Sequence, residues 1–115
     1  MLEKDLLSLL LPSGLTELFE VDTLEKKDDS FHFYLSEKNI HPAEFANQRL
    51  ESKGFFDEAI LRDFPLRGKA CFLHLRRRKW LNLNTGQIVF NEWRQVAKGT
   101  RLTVEFAAFL KGINR

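Results

Sequence analysis

The residues best suited to chemistry form one run in the third quarter of the chain. Arg76–Lys79 are four consecutive cations, and Trp80 follows them directly. Guanidinium and ammonium groups suit the phosphates of a nucleic-acid backbone, and a flat aromatic ring suits a neighbouring base or sugar. Four adjacent positive charges repel one another unless anions lie nearby. The run therefore indicates a polyanionic ligand, with phosphate contacts from the cations and stacking beside them by Trp80 and His74.

Further cations lie near both ends of the strand that bears this run. Arg67 and Lys69 precede it, and three more follow within the next part of the chain. The last of these stands at the predicted start of a helix, where free backbone N–H groups also bind phosphate. The candidate nucleic-acid-binding residues are Arg67, Lys69, His74, Arg76, Arg77, Arg78, Lys79, Trp80, Arg94, Lys98 and Arg101.

Charge is divided unevenly between two halves of the 115-residue chain. Residues 1–63 carry 14 Asp/Glu and 7 Lys/Arg, a balance of −7, whereas residues 64–115 carry 2 and 11, a balance of +9. Such asymmetry favours a polyanionic partner, and we expect the guanidinium groups to gather on an open surface, unopposed by carboxylates. The alternative is neutralisation within the fold. The carboxylates that would then pair with the basic run are Asp22, Glu25, Asp57, Glu58 and Asp63.

Metal and nucleophile chemistry fit the sequence poorly. The soft ligands are Cys71, His32, His41 and His74, and a closed zinc site takes four, usually in close pairs. Cys71 and His74 are three apart in one predicted strand, so they point to opposite faces and cannot share a metal or form a nucleophile pair. The sequence contains no Gly-rich phosphate loop and no hydrolase motif. We therefore expect no metal, no cofactor and no enzymatic activity in this chain.

Short elements must position these residues. Leucines at helical spacing predict an amphipathic helix over residues 2–11, which either packs on a sheet or docks a partner. Alternating apolar and polar residues over 19–23 and 31–35, around a polar turn, predict an antiparallel hairpin. Pro42 favours a short helix over about 42–49, and a third apolar stretch follows at 59–61.

The second half contains the clearest hairpin. Residues 69–81 form one long predicted strand, 82–86 a loop that ends in glycine, and 87–90 the return strand. Thr100 caps a final helix, which ends at Gly112. Strand parity places alternate residues on opposite faces. One face has Phe72, His74, Arg76, Arg78 and Trp80, and the other has Cys71, Leu73, Leu75, Arg77 and Lys79.

The order of elements predicts an α+β fold: an antiparallel sheet of hairpins with N- and C-terminal helices packed on it. No linker or repeat interrupts residues 1–115, which indicates one domain with an acidic half, 1–63, and a basic half, 64–115. No apolar run approaches the roughly twenty residues of a membrane span. The single cysteine and the lack of a signal peptide favour the cytoplasm.

Three segments resemble the N-terminal region of bacterial insertion-sequence transposases. They are Asp63-Phe-Pro-Leu-Arg-Gly-Lys69, the stretch from Leu73 to Trp80, and Gly99-Thr-Arg-Leu-Thr103. In the zinc-ribbon-bearing group of these transposases, a similar strand leads into cysteine knuckles. The start of the chain and the segment Glu51-Ser-Lys-Gly-Phe-Phe56 are similar to a related group, in which a short separate reading frame supplies this region.

This chain has Leu81-Asn-Leu-Asn-Thr-Gly86 where the knuckle cysteines would stand. The resemblance therefore implies a degenerate, metal-free, ribbon-like hairpin at about 69–91. It also implies a non-catalytic, DNA-binding N-terminal region of a transposase that binds element ends through the Arg/Lys/Trp hairpin. Catalysis would then belong to an acidic-triad nuclease part on a separate segment or a partner transposase subunit.

Two alternatives stay open at this point. The Leu-rich N-terminal helix would suit a protein–protein interaction or self-association module, including a homodimer. Trp80 and Phe72 would suit a module that binds single-stranded nucleic acid or RNA.

Overall fold

The computed structural model describes residue 6, residues 9–11 and residues 15–92 of the chain. Residues 15–92 contain seven strands in two sheets, one short α-helix and one 3₁₀ turn. Helix α1 is Leu15–Leu18, and the 3₁₀ turn is Ala43–Phe45. The strands are β1 Phe19–Lys27, β2 Ser30–Glu37, β3 Leu50–Phe55, β4 Ala59–Leu66, β5 Lys69–Arg76, β6 Arg78–Asn82 and β7 Gln87–Val89.

The larger sheet has four strands in the order β1-β2-β5-β4. The β1–β2 hairpin turns at Asp28 and Asp29, which confirms the hairpin predicted from the alternation over 19–35. β4 also runs antiparallel to β5, whereas the central strands β2 and β5 are parallel, with Ser30 opposite Ala70. Strands of the acidic half and the basic half therefore lie side by side in one sheet.

One face of the larger sheet forms the hydrophobic core. Successive side chains of a strand point to opposite faces, so residues two apart share a face. Helix α1 and Leu11 pack on this face. The buried apolar residues are Leu11, Leu15, Leu18, Phe19, Phe33, Leu35, Leu61, Cys71, Leu73 and Leu75. The opposite face, which we call the outer face, consequently displays the polar and aromatic residues of β2 and β5.

The smaller sheet has three antiparallel strands in the order β3-β6-β7. The predicted long strand over 69–81 is interrupted at Arg77, so β5 belongs to the larger sheet and β6 to the smaller one. At the interruption, the carbonyl of Arg77 accepts the backbone N–H of Phe56 at 2.8 Å. The prediction of one ribbon-like hairpin over 69–91 is therefore wrong, because its outgoing strand changes sheets and only β6–β7 is a hairpin.

The described chain is mainly β within the predicted α+β class. Leu6, Leu9 and Leu10 are helical, but most of the predicted helix over 2–11 lies outside the described residues. The predicted helix over 42–49 is reduced to the turn Ala43–Phe45, none of whose residues is buried, because so short a helix without packing does not offset the cost of nucleation. The predicted C-terminal helix over 100–112 also lies outside the described residues. In the described part of the chain, no helix has the length and apolar character needed to cross a membrane.

Candidate nucleic-acid interface

Arg76 lies at the end of β5, on the outer face of the larger sheet. Its Nη2 and Nε atoms donate to Ser36 Oγ at 2.8 and 3.3 Å, and Ser36 in turn donates to Asp22 Oδ2 at 2.5 Å. Arg76 Nη2 lies 3.9 Å from the same Asp22 oxygen, and the guanidinium lies 4.3 Å from the centre of the Phe55 ring. Nearly half of the Arg76 side chain is still exposed. Arg76 is thus opposed by a carboxylate, while keeping one side open to solvent.

Arg77 and Arg78 are held by the fold itself. Arg77 is buried, donates to the carbonyl of Asn91, and lies over the Phe90 ring at 5.1 Å. The Nε of Arg78 donates to the carbonyl of Glu37 at 2.8 Å, and the backbone N–H of Arg78 donates to Glu37 Oε1 at the same distance. The expectation of an open guanidinium cluster is therefore wrong at these positions, because both guanidinium groups donate to backbone carbonyls where the chain passes between its two sheets.

Trp80 and Lys79 occupy the smaller sheet. Trp80 is fully buried, and its ring meets the edge of His41 with centroids 5.5 Å apart. The prediction that Trp80 stacks on a base is consequently wrong, because a core ring offers no free face. Lys79 is half-buried, with Nζ 5.2 Å from the centre of the Phe56 ring. The predicted run therefore serves packing more than ligand contact.

Solvent-accessible cations gather instead at one end of the larger sheet. The turn end, as we call it, comprises the β1–β2 turn at Asp28 and Asp29 and the β4–β5 turn at Arg67 and Gly68. The two turns are joined by Lys69 Nζ, which donates to the carbonyl of Asp28 at 3.2 Å, and by a backbone bond from Ala70 N to the Asp29 carbonyl at 3.3 Å. The cations at or next to this end are Lys26, Lys27, Arg62, Arg67 and Lys69.

Backbone geometry fixes the position of Arg67. Its φ is 50°, and Gly68 follows with φ 78°, so both residues of the tight turn are left-handed. A non-glycine residue seldom adopts this conformation, whereas glycine does so without steric cost. The turn projects the exposed Arg67 beyond the strands. Of the residues predicted at the interface, Arg67 and Lys69 therefore lie where a phosphate backbone can reach them, and Arg94, Lys98 and Arg101 lie outside the described residues.

Aromatic rings line the outer face between β2 and β5. His32 and Phe72 are stacked, with centroids 5.0 Å apart and planes 20° apart. Tyr34 and His74 are stacked more closely, at 4.2 Å and 24°. The guanidinium of Arg62 lies 5.6 Å from the Phe72 ring centre, so a cation borders the His32–Phe72 stack at its β4 side.

A chain of hydrogen bonds crosses the same face. Ser30 Oγ lies 3.2 Å from His32 Nε2, His32 Nδ1 lies 2.8 Å from His74 Nε2, and His74 Nδ1 lies 3.2 Å from Glu58 Oε1. Burial lowers the pKa of His32, with smaller effects in the same direction from the positive charge of Lys27 and from the neighbouring imidazole of His74. Both ring nitrogens of His74 are thus hydrogen-bonded to other side chains of the protein, and not to solvent.

The other end of the outer face is acidic. A surface cleft of about 430 Å³ there is lined by Asp22, Thr23, Glu25, Tyr34, Leu35, Glu58, His74 and Arg76. Tyr34 donates to Glu25 Oε1 at 3.2 Å, and burial together with this carboxylate raises the pKa of Tyr34. Three carboxylates facing one arginine disfavour a phosphate in the cleft. The outer face is thus polarised, with anions at the cleft and cations at the turn end.

Cys71 and His74 point to opposite faces of β5, as their spacing predicted: Cys71 lies in the core and His74 on the outer face. Burial, with the nearby Asp63, raises the pKa of Cys71 to about 11, which keeps the thiol protonated. Among the residues described in the structure, no group of three or more His, Cys, Asp and Glu side chains is placed to hold a metal ion.

Sequence reasoning missed His32 and Tyr34 as functional candidates. A signal was available, because Ser30, His32, Tyr34 and Ser36 share the polar parity of β2. Their importance depends on the parallel pairing with β5, which brings His32 opposite Phe72 and Tyr34 opposite His74. No local sequence pattern indicates which distant strand pairs in parallel with β2. The stacking of His32 on Phe72 and of Tyr34 on His74 could therefore not be predicted from the sequence.

Comparisons of the chain with models of protein families, with curated proteins and with solved structures found no match.

Proposed function

We propose that this chain is a non-catalytic nucleic-acid-binding module. The observation that best supports the proposal is the turn end of the larger sheet, where exposed cations stand beside the stacked rings of His32 and Phe72. Cations suit phosphates, and flat rings suit sugars and bases. Following the sequence resemblance, we propose DNA at the ends of an insertion element as the ligand, with a transposase catalytic subunit as partner.

The proposed contacts differ from those that the sequence favoured. Arg67 is exposed in its turn, Lys69 bonds the neighbouring β1–β2 turn, and Arg62 borders the Phe72 ring, so these three cations are the proposed contacts. Arg76 lies in the acidic cleft at the far end of the face and is therefore left out of the proposed interface. Arg77 and Trp80 are buried and act by maintaining the fold that presents the others.

The proposal is tested by fluorescence anisotropy with a labelled duplex of mixed sequence, about 20 base pairs long, titrated with salt between about 50 and 200 mM. A mixed sequence suffices because phosphate contacts do not depend on base identity. We expect the double variant Arg62→Gln/Arg67→Gln to bind more weakly and to reduce the salt slope by about two, one for each guanidinium that no longer neutralises a phosphate.

Arg49→Gln/Lys53→Gln is the matched control. It removes the same charge from exposed positions near the smaller sheet, where Lys53 pairs with Glu51 at 3.5 Å. The control should bind as the parent chain does. The proposal fails if the parent chain shows no salt-dependent binding, or if both double variants weaken binding equally.

Self-association is a second candidate, supported by the exposure of the N-terminal leucines. Leu9 is 81% exposed and Leu6 is 53% exposed, whereas Leu11 packs in the core. An amphipathic helix with an open apolar stripe is a common partner surface. Sedimentation velocity of the parent chain and of Leu9→Glu decides this candidate: a dimer that the substitution disperses supports it, and a monomeric parent rejects it.

A further inference from the structure

The hydrogen-bond chain across the outer face has one consistent direction. A carboxylate only accepts, so His74 Nδ1–H must donate to Glu58 and leave its Nε2 as an acceptor. His32 Nδ1–H then donates to His74 Nε2, and His32 Nε2 accepts from the hydroxyl of Ser30. Each neutral ring thereby has one donor and one acceptor, and every link is satisfied.

This direction allows the two rings, which we call the imidazole pair, to take up one further proton but not two. A proton added at His32 Nε2 keeps the bond to His74, and Ser30 Oγ then accepts instead of donating. A second proton, on His74 Nε2, would set two N–H groups against each other across the present 2.8 Å. The first proton therefore enters at the Ser30 end of the chain, and the second is excluded while the pair stays bonded.

The Ser30 end lies at the turn end of the sheet, where the five cations named above outnumber the carboxylates of Asp28 and Asp29. Ser30 is the first residue of β2, directly after the Asp28-Asp29 turn, and it pairs with Lys27 on β1 and Ala70 on β5. Lys69, the residue before Ala70, donates from Nζ to the carbonyl of Asp28 in the same turn. A positive charge on His32 would add to that of Lys27, at the end of the sheet where the proposed phosphate contacts lie.

Other charges face the imidazole pair and set its resting state. Glu25 of β1 lies opposite His32 and favours its protonation, whereas Lys27 opposes it. Glu58, just before β4, is hydrogen-bonded to His74 Nδ1, and the guanidinium of Arg62 on β4 lies over the Phe72 ring.

Tyr34, the neighbour on β2, is neutral in this range because its pKa is raised. Burial lowers the pKa of His32, so His32 is neutral near neutral pH until an anion approaches.

We propose that the turn end is a proton-linked phosphate site, in which a bound nucleic-acid phosphate draws one proton onto the His32–His74 pair. This rests on the proposed function, and it adds the phosphodiester as the recognised group and pH as its regulator. The bound anion stabilises the imidazolium beside Ser30, and the imidazolium in turn strengthens binding. By thermodynamic linkage, the affinity rises as the pH falls, by at most tenfold per pH unit for one proton.

Three proteins and one ligand test the linkage. The mixed-sequence duplex is titrated at about pH 7.5 and pH 5.5 into the parent chain, His32→Asn and His41→Gln. Asparagine retains an N–H that can donate to His74 but cannot take up the proton. His41, the remaining histidine, contacts Trp80 and serves as the matched control. Circular dichroism at both pH values checks that each variant is folded.

We expect the affinity of the parent chain and of His41→Gln to rise about tenfold at the lower pH, and that of His32→Asn to change little. Calorimetry of the parent chain in two buffers of different ionisation enthalpy should show uptake of about one proton at an intermediate pH. This second measurement needs no variant, so it decides the question even if His32→Asn fails to fold.

The outcomes separate the two proposals. Salt-dependent binding without proton uptake, or with equal pH dependence in His32→Asn, overturns the proton linkage and leaves the nucleic-acid module standing. If the duplex does not bind at either pH, the proposed function fails. Inorganic phosphate followed by NMR of the imidazole C–H signals then tests the site alone, and unshifted His32 signals overturn the linkage as well.

Discussion

Glu37 holds Arg78 at two points where the chain passes from one sheet to the other. Its carboxylate accepts the Arg78 backbone N–H and its carbonyl accepts Arg78 Nε, both at 2.8 Å. Glu37 is the last residue of β2 and is 1% exposed, so its charge is sheltered from water. The pair therefore anchors the first residue of β6 to the end of the larger sheet.

Removing the Glu37 side chain should destabilise the protein without abolishing ligand binding by the turn end. Glu37→Ala removes the acceptor of the Arg78 backbone N–H, whereas the bond from Arg78 Nε to the backbone carbonyl of residue 37 can persist. Leaving a buried donor without its acceptor costs about 1–3 kcal/mol. Urea denaturation followed by circular dichroism measures the change in the free energy of unfolding. Glu20→Ala, at an exposed position of β1, is the control and should change stability little. Equal stability of the two variants would contradict an anchoring role.

Trp80 should contribute to stability and not to nucleic-acid affinity. Trp80→Ala leaves a cavity in the smaller sheet and should cost about 3–5 kcal/mol of unfolding free energy. Trp80→Phe keeps an apolar ring and should fold, so its duplex affinity can be measured. We expect that affinity to equal that of the parent chain. Much weaker binding by a folded Trp80→Phe protein would contradict this prediction and indicate that Trp80 contributes to ligand binding.

The thiol of Cys71 should be unreactive in the native protein. It is fully buried, and its pKa of about 11 leaves almost no thiolate at neutral pH. Because the chain has one cysteine, labelling with a chromogenic disulfide reports this position alone. Labelling should be slow in buffer and complete within minutes in concentrated urea. Rapid labelling of the folded chain would show that this part of the core opens readily.

The stability of the free protein should fall as the solution is acidified below about pH 6.5. The pKa of His32 is lower in the folded state than in the unfolded chain, so the unfolded chain binds more protons in the interval between the two pKa values. The stabilisation that the neutral His32 imidazole gives to the folded protein is fully present above the pKa of His32 in the unfolded chain. It is lost progressively as the pH falls from that pKa towards the lower pKa of the folded state. Thermal denaturation at several pH values above 5.5 measures the slope.

His32→Asn should flatten that slope, because it removes the group whose proton uptake favours unfolding. The measurements stay above the pH range in which carboxyl groups titrate, because Asp63 would oppose the effect of His32. Burial raises the pKa of Asp63, and a carboxyl group with a raised pKa increases stability on acidification. A parent chain whose melting temperature is constant from pH 7.5 to 5.5 would contradict a depressed His32 pKa.

The β1–β2 hairpin shows what the sequence could predict. Phe31, Phe33 and Leu35 alternate with polar residues, and the polar turn at Asp28 and Asp29 closes the pair. Alternation and turn chemistry are local properties, so they can be read without knowing any distant partner. The opposite faces of Cys71 and His74 followed from the same parity.

The interruption at Arg77 shows what the sequence could not predict. The residues from Lys69 to Asn82 remain extended across the break, so the local pattern is that of one strand. The sheet to which each part belongs is decided by distant partners: β2 and β4 for the first part, and β3 and β7 for the second. The groups that engage Arg77 and Arg78, namely Asn91 and Glu37, are likewise distant in sequence. The sequence therefore predicted an exposed basic run, although Arg77 and Arg78 are hydrogen-bonded within the protein.

The parallel contact of β2 with β5 has a consequence for biosynthesis. A ribosome completes the first hairpin well before the strand that shields its inner edge has been made. During that interval, β2 presents unpaired amide and carbonyl groups, which can pair with the wrong neighbour. A truncated chain that stops before Lys69 would lack the parallel partner of β2 and would keep this edge unpaired. Contacts between distant segments also slow folding, which lengthens the interval in which nascent chains can aggregate.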